Sequence, residues 1–372
     1  MSMLSVRLPA CSLTLLLFME IAQGLISWYL VNKRDLPWRH TRDPYCIWLS
    51  EVILQQTRVN QGMAYYYRFL ELFPTVFDLA AASEDEVLKA WQGLGYYSRA
   101  RNLHATAKWV SREMDGVFPK TSSELKRLKG VGDYTAAAIA SFSFDECVPV
   151  LDGNVQRVTS RLLAMEEPID KPLTKTLMLE VLNEWIDKAQ PALFNQAIME
   201  FGALQCTPQK PNCAACPLQT NCMAYEKGLQ NSLPFKSGKT KVTDVWMYYF
   251  VVVHNNNVMV RHRRHSGIWK GLYDFPSIDS LVPLTPDQVA AQWKIDRNVQ
   301  GKLLLNGNPV ELQHILSHRK VHAVFLQFTA DIELAPEDAE QWIAMDRFSS
   351  LGVSRLVDRY IREHSLLLGG ME

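Results

Sequence analysis

Neither sign of charge is in excess in this sequence: 39 Lys and Arg stand against 39 Asp and Glu in 372 residues. That excludes a positive field over the whole molecule, so any contact with nucleic acid must come from local clusters. Long hydrophobic runs are also lacking. The apolar stretch Ser12–Met19 is too short to span a bilayer, and no membrane partner is expected. Nor is there a disulfide framework, because Cys11, Cys46 and Cys147 lie far apart. There is no internal repeat and no low-complexity tract. The remaining composition, 48% hydrophobic and 21% charged, is that of an ordinary globular protein with room for about two or three domains.

Residues 1–24 read as a leader or a misassigned extension, with Met19 as the alternative start. Arg7 before the apolar stretch gives it a signal-like start, but no small-x-small cleavage site follows. Export is not expected, and free thiols imply a reducing cytosol.

The other four cysteines are close together. Cys206, Cys213, Cys216 and Cys222 follow the pattern C-x6-C-x2-C-x5-C, with Pro208, Pro211 and Pro217 among them. The prolines exclude a regular helix. Four thiols in one short loop form a ligand set for an iron–sulfur cluster or a structural zinc.

From about 25 to 225 the apolar period is helical, broken by short Gly and Pro turns. It predicts helices over 59–73, 84–92, 98–112, 122–128, 134–142, 155–164, 173–189 and 193–204. Residues 236–244 read as a linker. Beyond it, β-branched and aromatic stretches predict strands at 245–254, 258–261 and 321–329, flanked by helical patterns at 286–293 and 353–364. Residues 245–365 are therefore expected to form a separate α+β domain.

Two carboxylates carry the candidate chemistry. In the helical pattern 48–57, Glu51 shares a face with Ile47, Trp48, Leu54 and Gln55. Poor solvation there should raise its pKa towards what a general acid needs. Asp152 ends the apolar run 148–151 and precedes a helix, so it is expected as an N-cap with a lowered pKa. One raised and one lowered acid make the pair expected for glycosidic bond cleavage. Gly130-Val131-Gly132 separates two short helical patterns beside Lys126 and Lys129, where backbone amides can meet a phosphate.

In order along the chain, Leu36-Pro-Trp-Arg39, Ser50–Thr57, Gly93-Leu-Gly-Tyr-Tyr97, Gly130-Val-Gly132, Leu151-Asp-Gly-Asn154 and the four cysteines resemble the adenine DNA glycosylases of the MutY family. The cysteine spacing resembles the 4Fe–4S loop of the wider endonuclease III and MutY group. The fold this implies for residues 25–235 is mainly α: a helix-hairpin-helix glycosylase with a six-helix barrel and a cluster domain. The resemblance gives Trp38, Arg39 and Gln196 to the adenine pocket, and Gln56 and Tyr96 to wedging into the duplex while the base is flipped out. Tyr134 and Asn154 would organise the cationic sugar. In the related lyases the position of Tyr134 holds a Schiff-base lysine; a phenol supplies no amine, so simple hydrolysis is expected.

The second domain resembles the Nudix-like C-terminal domain of the same family. It lacks the acidic helix that would hold magnesium, so nucleotide hydrolysis is not expected. Leu316-Ser317-His318 matches the loop that recognises 8-oxoguanine, with leucine where the family usually has phenylalanine. The expected enzyme is a monomeric, bacterial, nucleoid-associated adenine DNA glycosylase. Its substrate would be double-stranded DNA carrying adenine opposite 8-oxoguanine or guanine. A glycosylase for thymine opposite guanine and a non-catalytic damage scanner are the alternatives.

Overall fold

The computed structural model describes residues 11–238, 242–265, 267–299 and 301–364. Residues 1–10 of the expected leader, 239–241 of the expected linker and the chain end from 365 lie outside them. The helices are α1 Cys11–Asn32, α2 Pro44–Leu54, α3 Val59–Leu72, α4 Val76–Ala81, α5 Glu84–Trp91, α6 Ser98–Glu113 and α7 Ser122–Leu125. They continue with α8 Asp133–Phe144, α9 Gly153–Leu162, α10 Pro172–Trp185, α11 Pro191–Leu204, α12 Met223–Glu226, α13 Pro286–Asp296 and α14 Arg355–His364.

The chain forms two compact units, residues 1–59 with 109–238 and residues 60–108 with 239–372. This differs from the division into 25–235 and 245–365. The reason is that α5, the turn after it and the start of α6 bond to the C-terminal segment: the Tyr97 hydroxyl to the Val353 carbonyl, and the Gln92 amide to Asp358. Sequence periodicity assigns a helix to a class, not to a neighbour.

In the first unit, α1 runs across residue 24, the boundary expected for the leader or extension. The break at 24 falls inside a helix whose Phe18, Ile21, Ala22, Leu25 and Tyr29 are core residues packed with Trp185 and Phe201. At the end of the apolar stretch, Phe18 is buried and Met19 is half exposed. Helix α2 is buried along nearly its whole length, from Tyr45 to Ile53. It lies against α8, where Ala136, Ala137, Ala138 and Ala140 present small side chains that allow close approach. The helix ends at Leu54, so Gln55–Thr57, expected within it, are off its axis.

The C-terminal part of the second unit is an eight-stranded sheet: β1 Thr243–His254, β2 Asn257–His262, β3 Tyr273–Asp274, β4 Ser277–Ser280, β5 Leu303–Leu305, β6 Val310–Ile315, β7 Arg319–Ala330 and β8 Glu340–Ala344. The path is β3-β2-β1-β7-β5, with β1 and β7 parallel and all other pairs antiparallel. Alternation along β1 sends Tyr248, Phe250 and Val252 into a core with Val289 and Trp293 of α13. Tyr249 faces the other way, stacking on Phe325, which stacks in turn on Tyr360 of α14. The sheet is thus sandwiched between two helices, and both faces are apolar. Strand β1 begins at Thr243, inside the expected linker.

Candidate functional site

Glu51 is only 6% exposed, because α2 places it between Ile47 and Ser50 on one side and α8 on the other. The Tyr134 hydroxyl, at the start of α8, donates to its Oε2 at 2.6 Å. Burial pushes the carboxyl from 4.5 to about 7; the Tyr134 bond opposes this and the nearby negative charge of Asp152 adds to it. A carboxyl at that value is shared between its protonated and ionised forms at neutral pH, which suits a group that must give and recover a proton.

The carboxyl opens on a cavity of about 350 Å³, counted to its mouth, lined by Trp38, Arg39, Ile47, Ser50, Glu51, Phe142, Gln196 and Met199. An indole, a guanidinium, an amide and apolar side chains in one lining suit a flat heterocycle with polar edges. The Tyr29 hydroxyl donates to Gln196 Oε1 at 2.6 Å, so the donor end of the amide is available to a bound ring. Arg39 is fixed by a bidentate pair to Glu200, at 3.1 and 2.8 Å, which Arg34 shares at 2.6 Å. Burial alone would raise Glu200; the hydrogen bonds from Arg34 and Arg39 outweigh it and hold the group at about 2. Glu200 and Tyr29 escaped the sequence analysis, although Glu200 sits in an apolar helix one turn beyond Gln196, the same signal that marked Glu51.

Asp152 caps α9, accepting from the Val155 amide and from Asn154 Nδ2, each at 2.8 Å. Its pKa is raised, which corrects the expected lowering: burial outweighs the amide bonds and the helix end. Buried Asn195 sets the entry to this cap. It accepts from the Val150 amide and donates to the Val148 carbonyl. Gly202 of α11 passes so close that a Cβ would stand 2.7 Å from the Asn154 Cβ, so only glycine fits there. Arg157 donates to Asn154 Oδ1, the Gly202 carbonyl and the Cys206 carbonyl, at 2.8, 2.6 and 2.8 Å. One guanidinium therefore ties the Asp152 turn to the cysteine loop.

The four cysteines line a single cavity of about 420 Å³, counted to its mouth. Burial and their mutual proximity raise Cys213 and Cys222, and Cys216 to about 11. Four thiolates so placed need a positive centre among them, as a bound iron–sulfur cluster or zinc ion provides. The residues therefore fit such a group, although among the described residues no three ligands converge on one ion position. Arg161, 2% exposed, braces the loop. It donates to the Cys206 sulfur and to the carbonyls of Thr207, Pro208 and Leu233.

Gln56 and Tyr96 are both exposed and both left-handed, with φ of 55° and 49°. For non-glycine residues that backbone costs about 1–2 kcal/mol, so each is held by its surroundings. Gly130 is left-handed (φ 80°), and Gly132 caps α8 with open space where a side chain would be. Lys126 pairs with Asp133 across this hairpin. Ser317 and His318 lie exposed at the β6–β7 turn of the second unit, bonded to each other at 3.1 Å.

Residues 49–184 match the HhH-GPD superfamily of base excision DNA repair proteins, and residues 248–363 match the NUDIX domain family. A mouse protein named adenine DNA glycosylase is 42% identical over 91% of this chain and 76% of its own length. The chain belongs to the adenine DNA glycosylases. An Arabidopsis thaliana adenine DNA glycosylase is 38% identical over 91% of the chain, which spans 63% of that relative's length. Among solved structures, a thermostable thymine-DNA glycosylase aligns with a TM-score of 0.52 at 27% identity, covering 57% of this chain and 97% of its own. The adenine glycosylase relatives thus extend over the sheet domain.

Proposed function

We propose that this chain hydrolyses the N-glycosidic bond of adenine mispaired with 8-oxoguanine or guanine in double-stranded DNA. The observation that carries the reading is the buried Glu51 carboxyl, raised to about 7 and lining one cavity with Trp38, Arg39 and Gln196. Glu51 gives its proton to the adenine ring as the bond to the sugar breaks, and the electron pair leaves with the base. Asp152 is the anion that meets the sugar cation, fixed in place by Asn154 and the Val155 amide. Water adds to the cation, and its released proton restores Glu51. Tyr134 has no amine, so no Schiff base forms and the product is an abasic site. Ser317 and His318 are the groups assigned to the opposite base.

A 4Fe–4S cluster on Cys206, Cys213, Cys216 and Cys222 belongs to the same proposal. When bound it would cross-link the loop that Arg157 connects to Asp152, and base hydrolysis draws no electron from it. A monomer in a reducing compartment completes the reading.

Single-turnover assays on duplexes with adenine opposite 8-oxoguanine, adenine opposite guanine and thymine opposite guanine test this. Adenine release is expected from the first two, and thymine release alone would overturn the reading. A second outcome concerns pH. The Tyr134 bond lowers Glu51, so Tyr134→Phe should move the alkaline limb of the rate profile upward. A downward shift would mean that the phenol does not hold the carboxylate form.

A further inference from the structure

The turn from α5 into α6 is strapped from outside. Gly93, Gly95 and Tyr96 all have positive φ, of 100°, 73° and 49°, and Tyr96 presents its ring 48% exposed. Nothing in a Gly-Leu-Gly-Tyr sequence selects that conformation, because two glycines leave many others open. A non-glycine residue persists there only where neighbours over-determine it.

Part of the strapping is local. Trp91 Nε1 donates to the Gly95 carbonyl at 3.0 Å, and the Arg99 guanidinium lies over the Trp91 and Tyr96 rings, 5.1 and 5.6 Å from their centroids. The rest comes from residues 349–358. The Tyr97 hydroxyl, on a side chain 5% exposed, accepts from the Gly93 amide at 3.4 Å and donates to the Val353 carbonyl at 3.2 Å. One hydroxyl thus joins both ends of the loop to the C-terminal domain. Gln92 accepts from the Val353 amide at 3.5 Å and donates to Asp358 at 3.0 Å. Lys89 donates to the Ser349 and Leu351 carbonyls at 2.5 and 3.0 Å. Gly352 lies against this surface: a Cβ there would stand 3.4 Å from the Lys89 backbone nitrogen.

We propose that segment 349–358 is a buttress that holds the 93–97 loop in shape, with Tyr97 as its positioning residue, so that the Tyr96 ring is set to enter the duplex. This rests on the DNA reading above and gives the C-terminal domain a second task, separate from any contact with the opposite base. Were the contacts only domain glue, their loss would weaken the fold without depending on Tyr96.

The experiment uses the full chain carrying Tyr97→Phe, which removes one hydroxyl. Hydrogen exchange without DNA reads the buttress directly. The 93–97 amides should exchange roughly fivefold to tenfold faster, the worth of one buried hydrogen bond, with α8 and α9 unchanged. Lys89→Met, which cuts two bonds to 349–351 and one to Gln92 at 3.2 Å while leaving residues 93–97 themselves unaltered, should accelerate the same amides. Unchanged exchange in both variants overturns the proposal. Single-turnover adenine release opposite 8-oxoguanine should fall about tenfold in Tyr97→Phe, with duplex affinity kept within about threefold. In a Tyr96→Ala background Tyr97→Phe should have no further effect. An equal loss in both backgrounds also overturns it. A wild-type protein that releases no adenine while the exchange behaves as expected refutes the glycosylase reading, not the buttress.

Discussion

Glu51→Gln is expected to lose at least about 10³-fold in adenine release while gaining stability, because the same burial that makes Glu51 an acid makes it costly to ionise. The amide keeps the shape and still accepts from Tyr134, but it has no proton to give. Duplex binding, compared at pH 6 where the raised carboxyl is mostly protonated, should stay within about threefold, since the neutral acid carries no charge to lose. The sign of the stability effect follows from linkage. The folded carboxyl titrates near 7, against 4.5 when exposed. Its contribution is therefore full below pH 4.5 and lost as pH rises through 7. About 3 kcal/mol disappears across that window, at about 1.4 kcal/mol per pH unit. Glutamine does not titrate. The variant should melt higher than the wild type at pH 8, and the difference should vanish near pH 4.5. For the wild type, release should fall tenfold per pH unit above about 7. A variant within tenfold of wild-type rate would remove Glu51 from its role, and a lower melting point at pH 8 would refute the burial argument.

Arg161→Met should cost about 3 kcal/mol or more and release the cysteine loop. The side chain is almost wholly buried and serves three carbonyls and the Cys206 sulfur. Methionine fills much of the volume but leaves four acceptors without a donor, each worth about 1–3 kcal/mol when stranded. The loss should appear as a lower thermal midpoint and as reduced iron with weaker visible absorbance in the purified protein. Adenine release should fall with iron content, because Cys206 and the Asp152 turn share Arg157. Full iron content and an unchanged midpoint would show that the loop stands without Arg161.

The site was legible where chemistry demands a residue type at a fixed spacing. Glu51 in an apolar helix, Asp152 before α9 and the four cysteines all stood out, and the structure brings Glu51, hydrogen-bonded by Tyr134, around one cavity with Trp38, Arg39 and Gln196. Tyr29, Asn195 and Arg157 were not legible. Each acts on a residue at least 45 positions away, or through a carbonyl that any residue would offer. The pKa of Asp152 went the other way because burial is not readable from a capping pattern.

Local sequence by itself determined the helical stretches, the strands β1, β2 and β7, the hairpin glycines and the thiol set, since apolar period, turn chemistry and ligand spacing act over a few residues. Only tertiary structure decided that Ile21, Leu25 and Tyr29 of α1 pack into the core of the first unit, that α5 and the start of α6 belong with the sheet domain, and that Tyr96 stands left-handed. Those outcomes depend on which surfaces meet, and the free energy of that meeting lies in contacts far apart along the chain.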